Sequence, residues 1–376
     1  MVAPFRQKGW LSRLAGRLLL VGFFLFPSLL SAGYSSISLM AYNVENLFDA
    51  EDDGLWQGDF TFLPRSIKRQ WTENKCLSKD EFRRFLCETL DWTESKYRER
   101  LRRVADVLLS YDGRGADIIV LEEIENKRVL LDIWHQFLKE KGYRYPVHFE
   151  SPSGRGIDVG IFSRYPLASP AKAHYVDLSD LDPSPTRFIL EATFQLDKKH
   201  RLRIAANHWP SLAHVVDTRI RAAVIVKRIA LRSKREGIPL IAMGDFNTLP
   251  SENPNPIGDF LADNNLGDQS LPMLDLQHYL GGYPNFEHSG SHFYKGGWSP
   301  LDRILVSKDC LSKQPALEVV LSSFGVHAPS YLFKTDYLTD PVTGEIKLYT
   351  FPHRYDFLTD EGYSDHLPVA LKVRLR

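Results

Sequence analysis

The sequence predicts an α/β sandwich built on mixed sheets, and three observations carry that reading. Apolar segments of strand length recur along the chain: ADIIVLEE, RGIDVGIFSR, TRFILEATFQL, RLRIAANHW, IPLIAMGDF, LDRILVS, ALEVVLSS and HLPVALKVRL. Several are near-continuous apolar runs, the pattern of strands covered on both faces. Amphipathic helical periodicity separates some of them, whereas TRFILEATFQL and RLRIAANHW stand close together and read as antiparallel neighbours. Helices between some strands and hairpins between others give a sandwich with both strand senses in its sheets.

Taken in order, the chain starts with MVAPFRQKGWLSRLAGR, which carries Arg6, Lys8, Arg13 and Arg17 and no acid. LLLVGFFLFPSLLSA follows, ending in small residues at Ser31, Ala32 and Gly33. Basic, apolar, then small is the layout of a secretory signal peptide, so residues 1–32 are expected to be removed and the protein exported to the periplasm or beyond. An uncleaved anchor is the alternative, although the apolar run is short for a spanning helix. Residues 33–376 are read as one domain. SISLMAYNVENLFDA is its first strand, and the polar, aromatic stretch 51–94 is an insertion with short helices near the site.

Three helices follow from period. Leu101, Val104, Ala105, Leu108 and Leu109 form one stripe; Leu130, Ile133, Trp134, Phe137 and Leu138 a second; Ala222, Ile225, Val226, Ile229 and Ala230 a third. Gly142 and Gly237 stand where helices should stop. Each stripe is read as core packing.

Composition bounds the function. Of 376 residues, 43% are hydrophobic and 25% charged, ordinary for a soluble globular protein with a large core. The formal charge is zero, and without residues 1–32 there are 43 basic against 47 acidic residues, a net of −4. Neither value is a global basic signal for nucleic acid. Among the three cysteines, Cys76 and Cys87 can bridge in an oxidising compartment, and Cys310 reads as a small buried residue. No GxxxxGK[ST] loop, strand-linked GxGxxG, GxSxG elbow, HExxH or CxxC is present, which argues against nucleotide-hydrolase, dinucleotide, serine-hydrolase and zinc chemistry.

What remains is a recurring pattern in which apolar strands meet Asp, Glu, Asn or His at their ends. Asn43 follows ISLMAY, and Glu122, Glu123, Glu125 and Asn126 follow DIIVL. Asn207 and His208 follow RLRIAA; Asp245 and Asn247 follow IPLIAMG. Asp302 opens DRILV, and Asp365 and His366 precede LPVALKV. One polar strand end is a solvated turn. Six of one chemical type, gathered on one edge of a packed sheet pair, would line a crevice. Oxygen-rich ligands hold hard cations such as Mg²⁺, Mn²⁺ or Ca²⁺, and carboxylates with a hard cation and histidine suit phosphoester hydrolysis.

These motifs resemble the endonuclease/exonuclease/phosphatase superfamily, of deoxyribonuclease-I-like fold. AYNVENLFD, IIVLEEIEN, RGIDVGIFSRYP, NHWPS, GDFNTLP, LDRILVS and YSDHLPV stand in the superfamily's order from residue 41 to 369. YNVENLF, EIEN and NHWPS resemble an exported bacterial branch described as extracellular nucleases or phosphatases. The resemblance implies a four-layer α/β/β/α sandwich. It implies Glu123 as main metal ligand, Asn43 in support of metal and phosphate, Glu45 as a secondary acid and Asp365 as an acid on the metal side. Asp245 would orient or deprotonate the attacking water and Asn247 would hold the phosphate. His366, partnered by Asp302, would stabilise the transition state, and His208 would contact phosphate or protonate the leaving group. The superfamily commonly has Gln where this chain has Glu122, so Glu122 competes with Glu123 for the ligand position, adjacent strand residues facing opposite ways. Asp365 and His366 can serve one site only if the chain is irregular there.

Three functions stay open. The first is a metal-dependent phosphodiesterase acting on nucleic acid, expected to be monomeric and without stable membrane association after signal removal. The second is a phospholipid or inositol-phosphate hydrolase; the third, a non-catalytic binding protein on the same fold. The basic clusters RERLRR and KRIALRSKR read as solvated helix faces. Arg155 and Arg164 are either salt-bridged surface residues or ligands of a second phosphate.

Overall fold

The computed structural model describes residues 36–54, 59–77, 80–182, 184–263 and 271–376; the basic and apolar segment at 1–32 lies outside them. Its strands are β1 (Ser36–Leu47), β2 (Ile118–Ile124), β3 (Val147–His148), β4 (Asp158–Ser163), β5 (Lys172–His174), β6 (Ile189–Gln195), β7 (Arg201–His208), β8 (Leu240–Asp245), β9 (Met273–Asp275), β10 (His292–Tyr294), β11 (Gly297–Ser299), β12 (Asp302–Ser307), β13 (Leu317–Val326), β14 (Phe333–Thr339), β15 (Ile346–Pro352) and β16 (Val369–Leu375). The α-helices are α1 (Arg65–Lys68), α2 (Glu81–Thr89), α3 (Glu94–Ser110), α4 (Lys127–Ile133), α5 (Val216–Glu236) and α6 (Leu276–Tyr279).

Two six-stranded sheets form the centre, in the orders β13-β16-β1-β2-β4-β3 and β5-β6-β7-β8-β12-β9. In each, one neighbouring pair is parallel, β1 with β2 and β7 with β8, and the remaining ladders are antiparallel. Both sheets are therefore mixed. Alternation decides what faces what. Ile241 and Met243 of β8 join Leu39, Leu121, Ile204 and Ile304 in a core shared by the two sheets. Leu240 and Ala242, which alternate with them along the strand, turn outward and pack with Ala222, Val226 and Ile229 of α5. On the far side, Leu101, Val104 and Leu108 of α3 join the first sheet's core. The layers run α/β/β/α.

Local signals fix the helices. Thr93 accepts from the Lys96 amide at the start of α3, and Asn126 from the Val129 amide at the start of α4. Gly237 ends α5 with φ 63°, and Gly142 closes the turn after α4 with φ 89°. The stripe read over Leu130–Leu138 is not uniform: α-helix ends at Ile133, and Trp134–Leu138 are wound as a π turn. The stretch at 59–94 packs on the sandwich through Phe62, stacked on Phe48 at 4.5 Å and edge-on to Trp92 at 5.8 Å. A Cys76–Cys87 disulfide links the approach to α2 with its last turn. Among the described residues no helix is long and apolar enough to cross a membrane.

Candidate active site

Strand direction brings the polar ends together. Because β1 with β2 and β7 with β8 run parallel, Asn43, Glu123, His208 and Asp245 all sit at C-terminal strand ends. β12 runs against β8 and sets its first residue, Asp302, opposite Asp245. β16 runs against β1, so Asp365 and His366, just ahead of it, reach the same rim. A bond from Asn43 Nδ2 to Asp245 Oδ2, at 3.2 Å, joins the two sheets there. All nine site residues expected from the sequence lie at this rim.

The rim's backbone leaves ordinary strand geometry. The β1–β2 ladder is regular to Asn43–Glu122 and resumes at Leu47–Ile124, so Val44, Glu45 and Asn46 bulge against Glu123 alone. Glu45, Asn46 and Glu123 have φ of 55°, 50° and 65°, and Asn247 has 45°. Each left-handed non-glycine residue costs ~1 kcal/mol or more, and such residues cluster where function requires them. The bulge settles the register. Glu123 turns to the site, where its Oε2 accepts from the Asn46 amide at 2.9 Å.

Glu122 turns into the core, fully buried, with no hydrogen-bond partner for either oxygen. It lies against Gly244, where an added Cβ would come within 2.8 Å of Glu122 Oε1. Burial, then Asp302 and Asp245, push its carboxyl well above the usual range. The unfolded chain keeps an ordinary carboxyl, so stability is lost as pH rises past that ordinary value. Glu122→Gln does not titrate. It should therefore stabilise the metal-free protein by ~1–3 kcal/mol at pH 8 and by less at pH 5. Thermal unfolding at both pH values checks this, and an equal effect at each would rule out a buried acid here.

His366 Nδ1 lies 2.8 Å from Asp302 Oδ2, which also accepts from Ser291 Oγ at 2.5 Å. Burial alone would lower this histidine. Asp302, Asp365 and Asp245 together outweigh burial, Asp302 most of all, so His366 is held well above its ordinary range as a cation. Its Nε2 faces Asp365 Oδ1 at 3.9 Å and Asp245 Oδ2 at 4.0 Å. Asp245 is 2% exposed; burial, opposed by His366, pushes it up to about 6. The Asn247 amide donates to Asp245 Oδ1 at 2.8 Å, and Asn247 Nδ2 to the Trp209 carbonyl at 3.1 Å. Phe246, between them, is buried edge-on to Trp209 on the α5 side.

His208 Nε2 stands 3.8 Å from both Glu123 and Asp245. Burial, then Arg187 and Arg155, hold it well below the ordinary range, and its buried Nδ1 has no partner. A neutral imidazole of this kind fits phosphate contact and not proton donation to a leaving group.

On the metal side, Glu45 Oε2 accepts from the Asp365 amide at 3.1 Å, and its Oε1 from Arg354 Nε. The Glu45 amide donates to Asn43 Oδ1 at 3.0 Å. Burial and then Asp365, against Arg354 and Arg100, push Glu45 up to about 8. Carboxylates crowded out of water and an amide oxygen, with no cysteine among them, fit a hard divalent cation.

Several residues here carried no sequence signal. Arg100 belongs to RERLRR, read above as a solvated face, yet it is fully buried. It grips the carbonyls of Val44 and Tyr363 and, at 3.2 Å, of Glu45, fastening the bulge to the turn before His366. Its neighbours Arg98 and Arg102 are exposed as expected. His292 of β10 lies against the His366 ring at 4.4 Å between centroids, with Nε2 4.0 Å from Asp365. Burial, then His366, pull it down to about 4. Arg354, half-exposed, leans over Glu45 and Asp365 from the segment after β15.

Residues 77–375 match the endonuclease/exonuclease/phosphatase family. No curated protein matches the sequence. Among solved structures, the chain is similar to an endonuclease/exonuclease/phosphatase family protein from Bacteroides thetaiotaomicron, at 16% identity and a TM-score of 0.50, covering 91% of this chain and 97% of that one. It is also similar to the human Nocturnin catalytic domain with bound sulfate anion, at 16% identity and a TM-score of 0.51, covering 91% and 95%. At such identities the likeness is one of fold.

Proposed function

The chain belongs to the endonuclease/exonuclease/phosphatase family, a group of metal-dependent phosphoesterases, and from that premise we propose that it is an exported phosphodiesterase cleaving nucleic acid by in-line attack of water. One observation carries the hydrolytic reading. His366, cationic beside Asp302, and Asp245, ready to accept a proton above pH about 6, face one space with 4.0 Å between them.

A cation (Mg²⁺, Mn²⁺ or Ca²⁺) held by Glu123, Asn43, Glu45 and Asp365 would neutralise phosphate charge and polarise the phosphoryl group. The chain's own residues do the rest. Asp245 aims the water and takes its proton; Asn247 and His208 hold phosphate oxygens; His366 donates from Nε2 to the charge that develops. Export is supported by the basic, apolar and small-residue order of 1–32 and by the disulfide.

A second reading, phospholipid hydrolysis, has its own observation. The β14–β15 hairpin leaves Tyr337, Val342, Ile346 and Leu348 exposed, and the Tyr337–Leu348 and Thr339–Ile346 pairs place three of them on one uncharged face. The test offers plasmid DNA, RNA, sphingomyelin vesicles and inositol phosphates in parallel with each cation. Nucleic-acid cleavage is the expected result. Lipid or inositol turnover with intact DNA would replace it, and no turnover at all would favour a binding protein on this fold.

A further inference from the structure

We propose that Arg187 and Arg155 form an anion subsite beside the reacting centre that takes a phosphate group next to the scissile phosphoester. This rests on the phosphoesterase reading above and gives it a preference for phosphoesters that carry a second phosphate.

Arg187, in the segment entering β6, is only 7% exposed. Its Nη2 donates to the Trp209 carbonyl at 2.6 Å, and its buried Nε has no partner. Among the described residues no carboxylate lies within 4.0 Å of it. Arg203, Arg219 and Arg303, equally buried, each hold a carboxylate, and Arg100, which holds none, donates to three carbonyls where Arg187 donates to one. The same Trp209 carbonyl takes Asn247 Nδ2, so the guanidinium stands one carbonyl from the amide assigned to the phosphate.

Arg155 comes from the turn before β4. Its Nη2 donates to Asn46 Oδ1 at 2.9 Å, and its Nη1 is 4.0 Å from Glu123 Oε1. Its side chain is 45% exposed. Burial, then Arg155, pull Arg187 down to about 10. Positive charge thus runs from a buried position beside the reacting centre, where Arg187 has no carboxylate in contact, to the rim, where Arg155 reaches Glu123 at 4.0 Å. A buried cation with no carboxylate in contact is unfavourable, and an incoming phosphate offsets this through forked N–H donors. Arg164, the other candidate in the sequence, is committed to Asp117 and to the carbonyls of Arg114, Gly115 and Ala116, a structural role.

A phosphocholine headgroup offers only its scissile phosphate. An oligonucleotide and an inositol polyphosphate both offer a neighbour. The test compares thymidine 5′-(p-nitrophenyl phosphate) with and without a 3′-phosphate, and inositol mono- and bisphosphates as a second pair. In the wild type the added phosphate should raise kcat/KM in the pair that matches the natural substrate. Arg187→Met and Arg155→Met should each reduce that preference about 10-fold or more, and Arg187→Lys should keep part of it. An unchanged preference in both methionine variants would overturn the proposal. A binding measurement separates this from failure of the phosphoesterase reading. Inorganic phosphate titrated calorimetrically into the metal-free protein should bind about 10-fold more weakly to Arg155→Met, whose half-exposed side chain is not part of the core. Equal binding, or an adventitious ion only, would likewise sink the subsite even if every ester is turned over.

Discussion

Asp245→Asn is expected to lower kcat by about 10³-fold or more, within the range that a positioned general base supplies. The substitution keeps the side chain's shape but removes the charge that aims and deprotonates water. A folding defect would not explain the loss, because stability should move the other way. Asp245 is raised by burial to about 6 in the folded protein, above its ordinary value in the unfolded chain. Its ionisation therefore costs stability as pH climbs through the interval between the two, and above pH 6 the full cost is present. The uncharged variant should unfold at a higher temperature than wild type at pH 8, by an amount on the order of 1–3 kcal/mol. Inactive and more stable together are the signature. In the wild type, kcat/KM should fall as pH drops below about 6. A variant with near-normal turnover would remove Asp245 from the mechanism.

His366→Ala should cost about 10²–10³-fold in kcat, the range for deleting a donor aimed at developing charge. Asp302→Asn is the more informative companion. Asp302 keeps His366 cationic against burial, so its amide variant should let the ring fall back and lose its proton within the working range. Activity in Asp302→Asn should then decline on the alkaline side at a lower pH than in the wild type. With the acid limb set by Asp245 near 6, the variant's window narrows from the alkaline side. kcat measured from pH 5 to 9 decides the matter, and an unchanged alkaline limb would mean that Asp302 does not hold the proton on His366.

Most of this architecture was legible in the sequence for a simple reason. Strands buried on both faces write long apolar runs, and IPLIAMG and DIIVL could hardly be anything else. Their abrupt polar ends then located the site, since a carboxylate at the end of such a strand has few reasons to be there. Legibility failed where three-dimensional context sets the outcome. Glu122 and Glu123 are indistinguishable by composition, and alternation says only that they part ways. The bulge of Val44–Asn46 opposite Glu123, a tertiary feature, decides which one enters the site. Arg100 looked like one more charge in a helical cluster until its helix met the β1 bulge. His292 and Arg354 come from a short strand and a connection with no periodicity to read, and Arg187 stands in TRFILEATFQL, where composition alone does not mark it as part of the site. The β14–β15 hairpin was also missed, although TDYLT and IKLYT do alternate around a DPVTG turn.

The central claim is that this rim hydrolyses phosphoesters with a hard cation and Asp245 as the water-directing base. The most direct measurement is turnover of bis(p-nitrophenyl) phosphate by protein stripped with EDTA and titrated with Mg²⁺, Mn²⁺ or Ca²⁺, with Asp245→Asn alongside. No turnover in EDTA, saturable recovery with at least one of the cations, and near-absence in the variant at every cation concentration are predicted. Turnover that persists in EDTA, or a variant that recovers as wild type does, would contradict it.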